Sequence, residues 1–245
     1  MNGNRIRLSV VASTNLYTTQ LLGQCVIDEF TLVSAQFQEQ GKGQRGKSWQ
    51  SNAGKNMLSS LVFFPRIKVK NQFLISAATA LSLIELLQNY GLIAQIKWPN
   101  DILVRGKKIA GILIENQIKG ERIESSVIGV GLNVNQSSFD AFDWEATSIS
   151  IETKAEVNLE EFIAAWQKLA EEKLRFWIQN SAALIDAFNR KLFLKNKSVN
   201  FRFHENELEG EIIGVGDDGA LKMKMQGDVK SFVNGEIKLL NTFSG

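Results

Sequence analysis

Residues 94–134, AQIKWPNDILVRGKKIAGILIENQIKGERIESSVIGVGLNV, decide the fold. Their apolar runs are Ala94–Trp98 with Ile102–Val104, Lys108–Glu115 and Arg122–Val134. The separating turns, Arg105–Lys107 and Lys119–Glu121, each contain a glycine and are short enough for hairpins, which pair antiparallel. We therefore expect an α+β fold with a mixed, largely antiparallel sheet and helices packed on it, and not a doubly wound parallel sheet.

Strand and helix patterns continue on both sides of this stretch. The upstream runs predict strands Ile6–Val11, Thr31–Phe37 and Asn56–Phe64, and helices Thr14–Leu22 and Asn71–Tyr90. Downstream, Leu159–Trp177 and Ala182–Phe193 have helical periodicity. Short alternating segments with regular turns over Lys197–Leu240 predict a small β-barrel. We expect two domains, residues 1–194 and residues 195–245.

Composition excludes several classes of protein. The 28 Lys+Arg and 26 Asp+Glu give a net charge of +2, too small for nucleic-acid binding by bulk charge. The single cysteine, Cys25, allows no intramolecular disulfide, and with the single histidine, His204, it cannot complete a zinc site. The apolar stretch Phe73–Leu87 is shorter than the roughly 20 residues of a membrane span. Without a signal-peptide pattern at the start, we expect a cytoplasmic protein with no membrane partner.

A glycine-rich loop, Gly41–Lys55, holds four glycines, four cations and no acid. Its start, GKGQRGKS, fits both the phosphate-binding loop of P-loop NTPases and the dinucleotide fingerprint. Both motifs need a helix immediately afterwards, whereas Ser48–Gly54 has turn chemistry and a strand pattern follows. A P-loop NTPase therefore stays only an alternative. Glycines with Lys42, Arg45 and Lys47 suit a phosphate-bearing ligand in any fold.

Motifs in a fixed order carry a resemblance to a known family. They are Ser13-Thr14-Asn15, the loop from Gln38 to Ser51, Lys97–Asp101, Lys107–Glu115 and Gly129–Asn133. This series closely resembles biotin protein ligases, in the form without an N-terminal DNA-binding domain. The resemblance implies a class II synthetase-like catalytic domain and an SH3-like C-terminal β-barrel.

The resemblance also implies a two-step reaction. Biotin and ATP would form biotinyl-5′-AMP and pyrophosphate with Mg²⁺, and a lysine of a biotin carboxyl carrier protein would then take the biotinyl group. The carrier would be a subunit of acetyl-CoA carboxylase or of another biotin-dependent carboxylase. The protein would be a monomer or homodimer that binds no DNA.

Site residues follow from the same motifs. The biotin-binding set is Ser13, Thr14, Asn15, Gln38, Gly41, Lys42, Lys108, Gly111 and Gly129. The ATP and adenylate set is Lys42, Gln44, Arg45, Trp49, Asn100 and Asn133, and the catalytic set is Lys108, Asp101 and Arg45. Within these sets Gly111 and Gly129 would line the valeryl chain, and Trp49 would stack on adenine. Lys108 would bridge biotin's carboxylate and the α-phosphate, and Asp101 would assist magnesium or the incoming amine.

Some alternatives stay open from sequence. Ser13 also fits a helix N-cap, and Trp49 a core tryptophan. Many relatives have arginine at the positions of Lys42 and Gln44, so the cation that contacts the phosphate is not fixed. The loop Gly41–Lys55 and the acidic, aromatic segment Ser137–Ser148 are expected to be mobile without ligand. A lipoate or octanoate ligase of the same fold and a nucleic-acid-binding module are the competing functions.

Overall fold

The computed structural model describes residues 4–140 and 144–240. The first sheet contains β1 (Arg5–Val11), β2 (Leu32–Gln38), β3 (Met57–Phe63), β4 (Ala94–Lys97), β5 (Asp101–Val104), β6 (Lys107–Lys119) and β7 (Arg122–Leu132). The helices are α1 (Thr14–Gln24), α2 (Phe73–Gln88), α3 (Ile149–Thr153), α4 (Leu159–Gln179) and α5 (Ser181–Lys191). The second sheet contains β8 (Ser198–Phe203), β9 (Asn206–Val215), β10 (Leu221–Met225), β11 (Asp228–Phe232) and β12 (Ile237–Leu239).

The large sheet has the strand order β1-β2-β3-β7-β6-β5-β4. Only β1 and β2 pair parallel, so the expected mixed, largely antiparallel sheet is confirmed. Arg105 and Gly106 form the turn between β5 and β6 with φ of 50° and 77°. Positive φ at both turn residues gives the twist that a two-residue hairpin needs.

Helices cover both faces of this sheet. Alternate residues of β3 point to opposite faces. Met57 and Leu61 join the core with α2, whereas Ser60 meets Asn15 of α1. The helix α2 is apolar around most of its surface because α4 and α5 pack on it as well as the sheet. The opposite face, under α1, is where polar side chains gather.

The C-terminal strands form an antiparallel sheet with the order β11-β10-β9-β8-β12. Phe201 of β8 lies 5.6 Å, centroid to centroid, from Phe232 of β11, although two strands separate them, so the sheet is strongly curled. Trp98 Nε1 donates to the Gly219 carbonyl at 2.9 Å and ties this sheet to the first. The expected division at residues 194 and 195 stays a prediction, and residues 1–3, 141–143 and 241–245 of those ranges lie outside the described residues.

One local expectation needs correction, and one short helix was not expected. The strand predicted over Arg122–Val134 ends at Leu132, because Asn133 and Val134 turn away to bond Ile109 and Asn56. The acidic stretch Ser137–Glu161 contains the short helix α3, whose N-cap Ser148 accepts from the Ile151 amide. None of the helices in the described ranges combines the length and apolar character needed to cross a bilayer.

Candidate active site

A cavity of about 1090 Å³ opens on the face of the large sheet that carries α1. Its walls come from the start of α1, the glycine-rich loop, β6, β7 and the Trp98–Asp101 turn, with the β11–β12 turn at the rim. The predicted site residues that line it are Ser13, Thr14, Asn15, Gln38, Lys42, Gln44, Arg45, Trp49, Asn100, Asp101, Lys108, Gly111, Gly129 and Asn133. Gly41 is buried and is not among the residues that line the cavity, and its carbonyl accepts from the Trp49 amide at 2.8 Å.

A polar network lies where α1 begins. The Thr14 amide and hydroxyl donate to Gln38 Oε1 at 2.7 and 3.0 Å. The Ser60 hydroxyl lies 2.6 Å from Asn15 Oδ1 and 2.8 Å from Thr14 Oγ1. Ser13 occupies the N-cap position, but its side chain makes no capping hydrogen bond. Its buried hydroxyl therefore belongs to the cavity wall and not to the helix end.

Glycines in β6 and β7 make room for protein side chains. A Cβ on Gly129 would lie 2.3 Å from Asn15 Oδ1, so this glycine admits the asparagine. Cβ atoms on Gly111 and Gly131 would lie 3.0 and 2.4 Å from the Trp49 indole. Gly111 and Gly129 thus border the cavity, and each also contacts a side chain that itself lines it. Their expected place along the valeryl chain stays a prediction.

The Lys108 ammonium belongs to a half-buried charge cluster. Its Nζ lies 2.7 Å from Asp101 Oδ1, and the Lys97 Nζ lies 3.0 Å from Asp101 Oδ2. Burial alone would raise the pKa of Asp101, but the nearby Lys108 and Lys97 ammoniums outweigh it and lower that pKa below its usual range. The carboxylate therefore stays charged and holds two cations at the cavity.

Hydrogen bonds fix the backbone of Lys108 on its outer side. Its amide donates to the Glu145 carbonyl at 2.7 Å, and its carbonyl accepts from the Thr147 amide at 2.9 Å. The neighbouring Lys107 points to the other face and pairs with Glu145 at 2.8 Å. Lys108 is consequently a strand residue with a defined direction.

Three buried polar atoms of residues that line the cavity have no hydrogen-bond partner among the described residues, and one of them is the Ser59 hydroxyl. The other two are Trp49 Nε1, a donor, and Asn133 Oδ1, an acceptor. Asn133 Nδ2 is held by the Thr147 carbonyl at 3.0 Å, and Asn100 Nδ2 by the Ile112 carbonyl at 2.9 Å. Buried polar atoms without partners are rare in folded proteins and indicate a place for a ligand or water.

The glycine-rich loop folds back on itself. The Gly43 amide donates to the Lys47 carbonyl at 2.7 Å, and Arg45 and Gly46 at the tip have φ of 57° and 75°. At that tip Arg45 Nη1 donates to the Gly235 carbonyl at 2.8 Å. The element after the loop is strand β3, so the helix that P-loop and dinucleotide motifs require is not there and those alternatives are wrong.

Residues 8–133 match the Biotin/lipoate A/B protein ligase family. The chain belongs to this family. It is 30% identical over 209 residues to a biotin–[acetyl-CoA-carboxylase] ligase of Paracoccus denitrificans, covering 78% of this chain and 83% of that one. It is 29% identical over 249 residues to a bifunctional ligase/repressor BirA of Bacillus spizizenii, covering 98% and 75%. The fold is that of the Aquifex aeolicus biotin protein ligase solved with biotin and ATP, with TM-score 0.80, 23% identity and coverage of 96% and 98%.

In this family member, the segment after residue 143 is built into the site. Trp144 Nε1 donates to the Gly106 carbonyl at 2.6 Å, and the Lys97 Nζ lies 4.6 Å from the Trp144 ring centroid. Together with the bonds to Lys108, these contacts hold residues 144–147 against β6. The expected mobility of the whole segment Ser137–Ser148 stays a prediction, and residues 141–143, among them Phe142, lie outside the described residues.

The donor set does not fit a resident magnesium ion. Both Asp101 oxygens face ammonium groups, and residues 4–140 and 144–240 contain no cluster of three side chains from Asp, Glu, His and Cys that could hold a metal. Asp101 is therefore not supported as a magnesium ligand, and a need for Mg²⁺ stays a prediction.

Several residues in or beside this ligase-family site were not predicted, among them Ser60, Gly131, Lys97 and Trp144. The alternation of β3 places Ser60 on the face that α1 covers. Only the fold shows that its hydroxyl contacts Thr14 and Asn15. Gly131 stands beside a predicted glycine and receives the Trp49 ring. Lys97 belongs to a quoted motif yet had no role, and Trp144 had only been predicted as part of a mobile segment.

Proposed function

We propose that this protein is a biotin protein ligase that joins biotin to a lysine of a biotin carboxyl carrier protein. ATP would be consumed, biotinyl-5′-AMP would be the intermediate, and AMP and pyrophosphate would be the products. The observation that carries the proposal is one cavity with a hydroxyl and amide network at one side and the Lys108 ammonium at another. Such a cavity suits a ligand with a polar uncharged ring and an anionic end.

The α1 end of the cavity suits the ureido ring of biotin. This ring presents two N–H donors and one carbonyl acceptor, which need hydroxyl and amide partners. Gln38 Oε1 already accepts from Thr14, so its Nε2 is the side of the amide that donates to a ligand. The Ser13 hydroxyl supplies a second polar partner on the same wall.

Lys108 supports the first chemical step. A carboxylate oxygen of biotin attacks the α-phosphorus of ATP, the bond from that phosphorus to the bridging oxygen breaks, and pyrophosphate leaves. Two anions must approach each other, and a fixed ammonium at that point lowers the barrier because charge accumulates on oxygen. The strand position of Lys108 and its contact with Asp101 provide that fixed cation.

In the second step the lysine amine of the carrier attacks the acyl carbon of the mixed anhydride. The bond from that carbon to the phosphate oxygen breaks, AMP leaves, and the amine loses a proton as the amide forms. Asp101 is a poor base for that proton, because its pKa is lowered and both oxygens contact ammoniums. We assign Asp101 the role of orienting Lys108.

Two of the unpaired polar atoms support an adenine site. Adenine carries an amino donor and ring-nitrogen acceptors, which match Asn133 Oδ1 and Trp49 Nε1. Gln44 is uncharged and accepts from Asn234 Nδ2 at 2.9 Å, so we assign phosphate contact in the loop to its cations, Lys42 and Arg45.

The test is incubation with ATP, Mg²⁺ and radiolabelled biotin, followed by addition of an apo biotin carboxyl carrier protein. We expect an acid-labile adenylate, pyrophosphate release, and then label on the carrier. Parallel reactions with lipoate and octanoate separate the competing ligase activity. Transfer of octanoate or lipoate in preference to biotin would overturn the proposal. Location in the cytoplasm and the oligomeric state stay predictions.

A further inference from the structure

Lys97 lies at the junction of two parts of the site. Its ammonium is 3.0 Å from Asp101 Oδ2 on one side and 4.6 Å from the Trp144 ring centroid on the other. The Lys97 side chain is only 16% exposed, so its ammonium is held within the protein and is not a solvated surface charge. A desolvated ammonium over an indole face is held more firmly than an exposed one.

The pairing of β4 with β5 places Lys97 directly opposite Asp101. Asp101 is in turn the residue that contacts Lys108, through its other oxygen. Each Asp101 carboxylate oxygen therefore contacts one ammonium group. The two contacts together fix the rotation of the carboxylate. Without the Lys97 contact, the Asp101 carboxylate could rotate. It would then no longer hold the Lys108 ammonium in one orientation.

We propose that Lys97 is a positioning residue that fixes the Asp101 carboxylate, and through it the Lys108 ammonium, with Trp144 holding Lys97 in place. The part concerning catalysis rests on the function proposed above. Lys97 itself need not contact biotin or ATP, because its ammonium is already engaged by Asp101 and Trp144. The residue therefore differs from a further phosphate-binding cation, which would have to face the ligand directly.

A double-mutant cycle separates these two roles. Lys97→Met keeps the length of the side chain and removes the charge. We expect adenylate formation in a single turnover to fall about 10–100-fold, by analogy with the loss of a residue that orients a metal ligand. If Lys97 acts only through Asp101, Lys97→Met made in an Asp101→Asn background should change the rate by less than about twofold. Full additivity of the two substitutions, or no effect of Lys97→Met alone, would overturn the proposal.

A second measurement does not depend on activity. Among the described residues, Lys97 and Lys108 are the charged groups that act on the Asp101 carboxylate. In full-length protein labelled with ¹³C at aspartate carboxyls, the titration midpoint of Asp101 should rise in Lys97→Met and return toward the wild-type midpoint in Lys97→Arg, which restores the cation. The Asp101→Asn spectrum assigns the signal, and Lys107→Met, which removes an exposed lysine paired with Glu145, is the matched control.

An unchanged Asp101 midpoint in Lys97→Met would contradict the positioning role even if the enzyme proves to be a biotin ligase. If the Asp101 titration midpoint rises in Lys97→Met but the wild-type protein makes no biotinyl-AMP, the proposed function is rejected. The contact between Lys97 and Asp101 would still be supported. The two failures are therefore distinguishable.

Discussion

The Trp49 indole lies directly on Gly131, so close that a Cβ at this glycine would be 2.4 Å from Cε2 of the ring. Gly131→Ala should displace the indole from the place where we assign adenine. We expect the affinity for ATP to fall roughly tenfold or more, equivalent to about 1.4 kcal/mol, with biotin affinity much less affected. Isothermal titration with each ligand measures this.

Gly23→Ala is the matched control for that substitution. Gly23 lies within α1, and a Cβ there would meet nothing within 4 Å. Alanine in a helix should stabilise the fold by roughly 0.5–1 kcal/mol and leave ligand binding unchanged. Equal ATP affinity for Gly131→Ala and Gly23→Ala would show that the contact with Trp49 is irrelevant to the nucleotide.

The C-terminal sheet restrains the glycine-rich loop through Gly235. A Cβ on Gly235 would lie 1.7 Å from Arg45 Cζ, so Gly235→Ala should push the guanidinium away and loosen the loop tip. Trypsin should then cut the loop at Lys42, Arg45 or Lys47 faster than in wild type. Gly227→Ala is the control: its φ of +96° resembles the +93° of Gly235, but its Cβ meets nothing within 4 Å. Equal cleavage of both variants would attribute the effect to backbone strain alone.

Gln44 is a neutral residue among loop cations, and its Oε1 accepts from Asn234 Nδ2 at 2.9 Å. Gln44→Arg replaces that acceptor with a guanidinium that can contact phosphate through two N–H groups, so release of biotinyl-AMP should slow. Stopped-flow dissociation checks this, with the exposed Gln40→Arg as a control for added charge. If Gln44→Arg releases the adenylate at the wild-type rate, another cation already fills that place.

The lowered pKa of Asp101 makes stability depend on pH in a defined direction. A carboxyl whose pKa is lower in the folded state stabilises that state above its unfolded pKa of about 4, and this contribution disappears as the pH falls through the folded value. The difference in unfolding free energy between wild type and Asp101→Asn should therefore be largest above about pH 4 and shrink in more acidic solution. Urea denaturation across this range measures it, with the exposed Asp186→Asn as control; a pH-independent difference would count against the charge cluster.

Local patterns predicted the sheet well and the site in part. The turns at Gly106 and Gly120 fix hairpins through residues adjacent in sequence, so antiparallel pairing could be foreseen. Contacts between segments that are far apart in the sequence could not be foreseen. Nothing near Arg45 indicates that its guanidinium bonds the carbonyl of Gly235, 190 residues later.

The direction of buried side chains was the second feature that the sequence could not predict. Ser13 was correctly placed at the N-cap position, yet its hydroxyl does not cap the helix. The polar partners of the buried Ser13 hydroxyl depend on how α1 packs against β3 and β7. The residue pattern of a single segment does not reveal that packing.

Lys108 carries the central claim, and single-turnover formation of biotinyl-AMP from biotin and ATP tests it most directly. Its ammonium lies beside Asp101 at the cavity, whereas that of Lys107 lies on the opposite side with Glu145. We predict that Lys108→Ala folds like wild type but forms the adenylate about 10²–10³ times more slowly, the usual cost of removing a fixed transition-state donor. Lys107→Ala should change the rate little. A rate for Lys108→Ala close to that of wild type would contradict the account.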